Sequence, residues 1–108
     1  MESNVFKVRA SQAAKDEIDD IYYHYFKVSM EIEVAEKVTQ RIWDSIKGLK
    51  HMPKRHPLFN NPELRERGVR KLICDNFIVP FTIDEDIKTV FVEHVYHSKM
   101  NYDKYMKT

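Results

Sequence analysis

The stretch Val69–His97, VRKLICDNFIVPFTIDEDIKTVFVEHVYH, decides the fold. It divides into three apolar runs, Val69–Cys74, Phe77–Ile83 and Ile87–His97, rich in β-branched and aromatic residues. The joints, Asp75-Asn76 and Asp84-Glu85-Asp86, carry turn chemistry, because Asp and Asn side chains bond nearby backbone and tolerate sharp bends. Strands joined so tightly are antiparallel neighbours, so a three-stranded meander is expected. Pro80 stands inside the central run, where each residue should donate to a neighbouring strand. Proline has no N–H, so a bulge or a local break is expected there.

Upstream of the meander the period changes. NVFKVRAS, residues 4–11, alternates, with Phe6, Val8 and Ala10 on one side and Lys7 and Arg9 on the other, as in a half-buried strand. Ser11 is placed to cap a helix whose early turns carry Asp16 and Glu17. Ala14, Ile18, Ile21, Tyr22 and Tyr25 then recur at steps of three and four, one helical face, while Tyr23 falls off that stripe. Ser29 offers a new N-cap, and Ala35, Val38, Ile42, Ile46 and Leu49 form a second stripe with Trp43 beside it, until Pro53 stops the helix. The segment HMPKRHPLFNNPELRERG, residues 51–68, has three prolines and no periodicity, and reads as a loop or a single turn. Glu63, just after Pro62, suits the start of such a turn.

The order is therefore a strand, an antiparallel helix hairpin and a three-stranded antiparallel meander: an α+β fold, β-α-α-β-β-β, with both helices on one face of the sheet. Ile42, Ile46 and Leu49 are expected to pack on Phe91 and Val95, and the opposite sheet face to be open for a partner.

Composition narrows the function classes. A chain of 108 residues with 43% hydrophobic and 32% charged residues is one soluble domain, residues 1–108. Two glycines leave little room for left-handed turns or glycine-rich phosphate loops. No run is long enough to span a membrane, no secretory leader opens the chain, and the single Cys74 lies inside a strand-like run, as a buried thiol in a reducing cytoplasm would. No cofactor is implied. No metal set is visible either: His51 and His56 are five apart in a proline loop without ligand partners at matching spacing. The net charge of +1 is unevenly spread. Residues 47–72 hold eight Lys/Arg against two Asp/Glu, +6, flanked by −3 over residues 1–46 and −2 over residues 73–108. Such a basic block fits an acidic partner.

Four phrases together resemble one family: AAKDEIDDIYYHYF (13–26), Ala35 and Val38 followed by IWDSIKGLKHMP (42–53), GVRKLICDNFIVPFTID (68–84) and VFVEHVYHSKMNYDKYM (90–106). Their order and spacing are similar to the RelE/ParE superfamily of toxins from bacterial type II toxin–antitoxin pairs. The long helix pair and the ending of His97 and Lys99 followed by Asn101-Tyr102 resemble the ParE branch more closely. The resemblance implies a cytoplasmic toxin of plasmid-stabilisation type that arrests growth and is held by a cognate antitoxin protein. ParE-like members inhibit DNA gyrase. RelE-like members cleave mRNA on the ribosome. A remnant that only binds its antitoxin is the third possibility.

RNA cleavage needs a base, an acid and cations around the phosphate. The resemblance places His97 where some nuclease members keep a catalytic histidine and ParE-like members a structural one. Arg70 and Lys71, on opposite faces of their strand, and Lys99 in the tail are the candidate cations of such a rearranged site. The resemblance also places Ile78 where nuclease members carry an arginine, and an aliphatic chain stabilises no phosphorane. A docking toxin would use Tyr23, Arg65, Arg67, Arg70, Lys99, Tyr102 and Tyr105, exposed aromatic and basic side chains of the kind that anchor protein interfaces. His94 should face away from Val95 and His97 as a packed or half-exposed ring.

Overall fold

Two amphipathic helices cover one face of a mixed sheet in the computed structural model, which describes residues 5–98. The elements run β1 (Lys7–Ala10), α1 (Gln12–Ser29), α2 (Ile32–Lys47), α3 (Pro62–Glu66), β2 (Arg70–Cys74), β3 (Phe77–Asp84), β4 (Thr89–Val92) and β5 (Tyr96–His97). The expected α+β order is present. Strands lie β1-β4-β3-β2, with β1 parallel to β4, the meander antiparallel, and β5 also paired to β3.

Alternation along the strands sends one set of side chains to the helices. Val8, Ala10, Leu72, Cys74, Phe77, Val79, Phe81, Val90, Val92 and Val95 join Ala14, Ile18, Ile42, Ile46 and Leu49 in one cluster. Fully burying each large aliphatic here contributes about 1.5–3 kcal/mol, which holds the two layers together. Phe91 does not join them. It pairs with Thr82 and Arg9 on the other side of the pleat, so the expected helix contact is made by Val90, Val92 and Val95 instead.

The far face is not open along its whole length. Phe59, Leu64, Val69, Ile78 and Tyr96 make a second buried cluster, in which the 57–69 segment folds over one end of the sheet. Pro62 opens the single short helix α3, and Asn61 caps it by accepting from the Glu63 and Leu64 amides at 2.9 and 3.1 Å. The turn expected from the proline pattern thus carries a core of its own.

Ser11 caps α1 as expected, accepting from Ala14 N–H at 2.9 Å. Ser29 does not cap α2. It is the last residue of α1, its Oγ donating back to the Tyr25 carbonyl at 2.7 Å, and Met30 closes the helix at φ 59°. Helix α2 ends at Lys47 rather than at Pro53, tightening into a 3-10 turn over Gly48–Lys50 that still buries Leu49. Scarce glycine did not exclude left-handed backbone: Met30, Met52, Asp75 and Lys88 all adopt positive φ. Asp75 there completes the two-residue hairpin between β2 and β3.

The last strand is split, and Pro80 is the reason. Phe81 pairs with Val92, whereas Ile78 pairs with Tyr96, so between them the three residues Glu93–Val95 face only Val79 and Pro80 of β3. One extra residue is the definition of a bulge. It lies where the missing N–H predicts.

Candidate functional site

The break at Pro80 lies beside a concave surface between α1 and the last strand. Glu93 N–H donates to the Pro80 carbonyl at 3.1 Å, but Pro80 cannot return the bond. Helix α1 supplies the substitutes. Ser11 Oγ donates to the Glu93 carbonyl at 2.7 Å, and Glu17 Oε1 accepts from Val95 N–H at 2.8 Å. The second Glu17 oxygen lies 3.3 Å from His94 Nδ1, and the His94 ring stacks on Tyr96, centroids 5.0 Å apart and planes 16° from parallel. Backbone groups orphaned by proline are thereby satisfied, and β5 is drawn against α1.

Between α1 and β5 lies a cavity of about 440 Å³, lined by Glu17, Asp20, Ile21, His24, Tyr25, Phe77, Val95, Tyr96 and His97. Its walls are mainly apolar, with carboxylates and imidazoles at intervals. The His97 ring meets Phe77 edge to face at 5.6 Å, and Tyr25 meets the same Phe77 at 6.4 Å. A second hollow of about 420 Å³ shares Tyr25 and Phe77 and continues past Val34, Val38 and Arg41 to Asp75. Together they form a groove running from the last strand along the helix hairpin.

The basic residues gather elsewhere. Lys71 Nζ sits 5.5 Å from the Phe59 ring centroid, and Arg65 donates to the Phe59 carbonyl at 3.4 Å, so these two share a patch on the far face. Arg67 is exposed at the end of α3. Arg70 holds the preceding loop in place, donating to the His56 and Lys54 carbonyls at 2.7 and 3.2 Å. Strand register sets Phe77 and its partner His97 on the helix side, and Lys71 on the other side with Ile73 and Ile78. Lys71 and His97 therefore project from opposite faces of the sheet. Ile78 is 8% exposed inside the second cluster. Tyr23 is exposed, as its position off the helical stripe requires, and Lys99, Tyr102 and Tyr105 lie outside the described residues.

Asp20 and His24 were not singled out from the sequence, and Glu17 was read only as a favourable charge near the helix start. Their spacing with Ile21, at i, i+3, i+4 and i+7, is itself a helical stripe beside the apolar one, and it carries the polar half of the groove. One further histidine lies half-buried, apart from the groove. His56 meets Phe81 edge to face at 5.8 Å, and its buried Nε2 has no hydrogen-bond partner among the described residues. Burial, then the charges of Arg55 and Arg70, lower its pKa below the usual 6.5.

With this geometry in view, the comparisons with known proteins are specific. The model of the ParE toxin of type II toxin–antitoxin systems, parDE, matches residues 8–102. Among solved structures, the chromosomal ParDE toxin–antitoxin system from P. aeruginosa superposes with TM-score 0.72 at 24% identity, covering 90% of this chain and 100% of that one. The RelBE2 toxin–antitoxin complex from Mycobacterium tuberculosis gives TM-score 0.64 at 14% identity, covering 86% and 98%. No curated protein sequence matches the chain. At these identities the structural likenesses establish the fold, while the family match spans nearly the whole sequence. The chain belongs to the ParE family and is a toxin of the type II toxin–antitoxin class.

Proposed function

We propose that this toxin acts by docking on an essential bacterial enzyme, DNA gyrase, in the cytoplasm, and that a cognate antitoxin protein neutralises it by covering the toxin's surface. The observation that carries this reading is the position of Ile78. By the family resemblance it stands where nuclease members of the wider superfamily carry an arginine, and its side chain is packed with Phe59, Leu64, Val69 and Tyr96. Lys71 points away from His97, so a phosphate beside the imidazole would lack that cation. His97 rests on Phe77 as part of an apolar wall.

Docking residues in this reading are Tyr23, Arg65, Arg67 and Arg70, together with Lys99, Tyr102 and Tyr105 of the C-terminal tail. The two superposing structures are toxin–antitoxin complexes, which supports an antitoxin as the second partner. Cleavage of ribosome-bound mRNA is the rival activity. Incubating the purified protein with stalled ribosomes and a defined mRNA tests it: intact message is expected, and His97→Ala should leave growth arrest nearly unchanged. Cleavage that His97→Ala reduces by about 10²–10⁴-fold, the loss typical of a missing proton-transfer group, would establish the nuclease instead.

A further inference from the structure

The outer edge of β2 is covered along its first half and open along its second. Across the β2–β3 pair, Lys71 faces Pro80 and Ile73 faces Ile78. Backbone groups in an antiparallel ladder alternate between the two sides of a strand. Lys71 N–H points outward, since it donates to the Pro57 carbonyl at 2.9 Å, and Leu58 bridges Arg70 beside it. Ile73, two residues on, therefore also turns its N–H and C=O outward, past the end of the covering segment. No protein group meets them among the described residues.

Natural edges are usually blunted by charge, proline or a cover, yet Ile73 is aliphatic and 63% exposed. By the two-residue period of a strand, its side chain shares the far face with Lys71. Lys71 lies over the Phe59 ring, and Arg65 is bonded to the Phe59 carbonyl. Neither cation has a carboxylate partner among the described residues, where the ion pair of the 47–72 block joins Lys54 to Glu85. Asp75, just past the end of β2, is already paired with Arg41 at 2.7 Å. Phe59, Leu64 and Val69 are packed into the second cluster, so the two cations stand on a fixed platform.

Open ladder groups, an exposed aliphatic and unpaired cations on one side complement an extended peptide, with an aliphatic and an acidic residue two positions apart. A DNA backbone would meet the cations and leave Ile73 and its N–H unused. We infer that the β2 edge at Ile73 receives an extended acidic segment of the toxin's target. The segment adds as a strand, an aliphatic side chain against Ile73 and a carboxylate against Lys71. The inference rests on the docking reading above and names the chemistry of one contact within it. Because Pro57 already holds Lys71 N–H, the opening is short and supplements other contacts.

The test is nuclear magnetic resonance on the full chain labelled with nitrogen-15. The probe is a capped peptide of glutamate, threonine, valine, threonine and glutamate, which sets both carboxylates and the valine on one side. The same peptide with lysine for glutamate and a short DNA duplex are the controls. The acidic peptide should move the Ile73 amide resonance downfield and slow its hydrogen exchange about tenfold. Lys71→Glu should weaken binding about tenfold, and Ile73→Pro, which removes an outward N–H and no ladder bond, at least as much. If Ile73→Pro fails to fold, the wild-type titration and Lys71→Glu still decide. An unmoved Ile73 amide at millimolar peptide overturns the inference, as does equal binding of the lysine control. So does a duplex that moves Lys71 and Arg65 where the peptide does not, or Ile73 protection that grows with protein concentration alone, which would make a second copy the occupant. Full inhibition of gyrase by Lys71→Glu would refute the edge and spare the docking reading. Peptide seated at Ile73 of a protein that leaves gyrase untouched would uphold the edge and refute gyrase as the target.

Discussion

Glu93 donates to Pro80 across the sheet and receives nothing back; Ser11, at the start of α1, fills the gap by donating to the Glu93 carbonyl at 2.7 Å. The same Ser11 oxygen accepts from Ala14 N–H and caps the helix. One hydroxyl thus ties helix start, bulge and first strand together.

Ser11→Ala should accordingly cost more than an ordinary cap. Loss of the cap costs about 1 kcal/mol, and stranding the part-buried Glu93 carbonyl adds about 1–3 kcal/mol. Ser11→Thr, which keeps the hydroxyl, should recover most of it. Denaturant midpoints of the two variants check this, and a Ser11→Ala loss under half a kcal/mol would show the carbonyl finds another partner.

Ile46 is 2% exposed between α2 and the sheet. Ile46→Ala should destabilise by roughly 2–5 kcal/mol through the cavity it leaves. Urea unfolding is the measurement; a near-neutral result would mean that the layers collapse together freely.

Met30 ends α1 at φ 59° and is 74% exposed. A left-handed conformation costs a non-glycine residue about 1–2 kcal/mol, and glycine in exchange gives up about 0.5–1 kcal/mol of chain entropy. Met30→Gly should therefore raise stability by up to about 1.5 kcal/mol. A lower thermal midpoint would show that the exposed methionine makes a contact worth keeping.

Acid should weaken the fold at His56. Its folded pKa is lowered by burial and by Arg55 and Arg70, so as pH falls through 6.5 the unfolded chain takes up this proton first. Stability from the neutral ring is complete above 6.5 and declines below it until the folded form titrates too. His56→Gln should flatten the dependence of the unfolding midpoint on pH between about pH 7.5 and pH 5. An unchanged slope would place the titration elsewhere.

These sites divide by how far the sequence announces them. The two helical stripes, the meander and the break at Pro80 were legible because each follows from local period or from a missing donor. Ser11 and Glu17 as the groups that heal the break were not, since their partners Glu93 and Val95 lie 82 and 78 residues away. Glycine counting misled because one left-handed residue is a tolerable strain when the turn around it is held, as at Asp75 between two paired strands. The second cluster was hidden as well: Phe59 and Leu64 sit in a proline-rich segment without periodicity, so nothing in their order says which face they cover. His97 was picked out as a candidate catalytic histidine at the end of the last strand, but its place in the lining of the α1–β5 cavity, beside Asp20 and His24, was not.

The central claim is that this ParE-family toxin docks rather than cuts. Its most direct test is the supercoiling of relaxed plasmid by purified DNA gyrase with increasing amounts of the wild-type protein. The account predicts dose-dependent loss of supercoiling, relieved by the cognate antitoxin and weakened by truncation after Tyr96. Full supercoiling at every dose, from protein that still arrests growth when expressed, would contradict it.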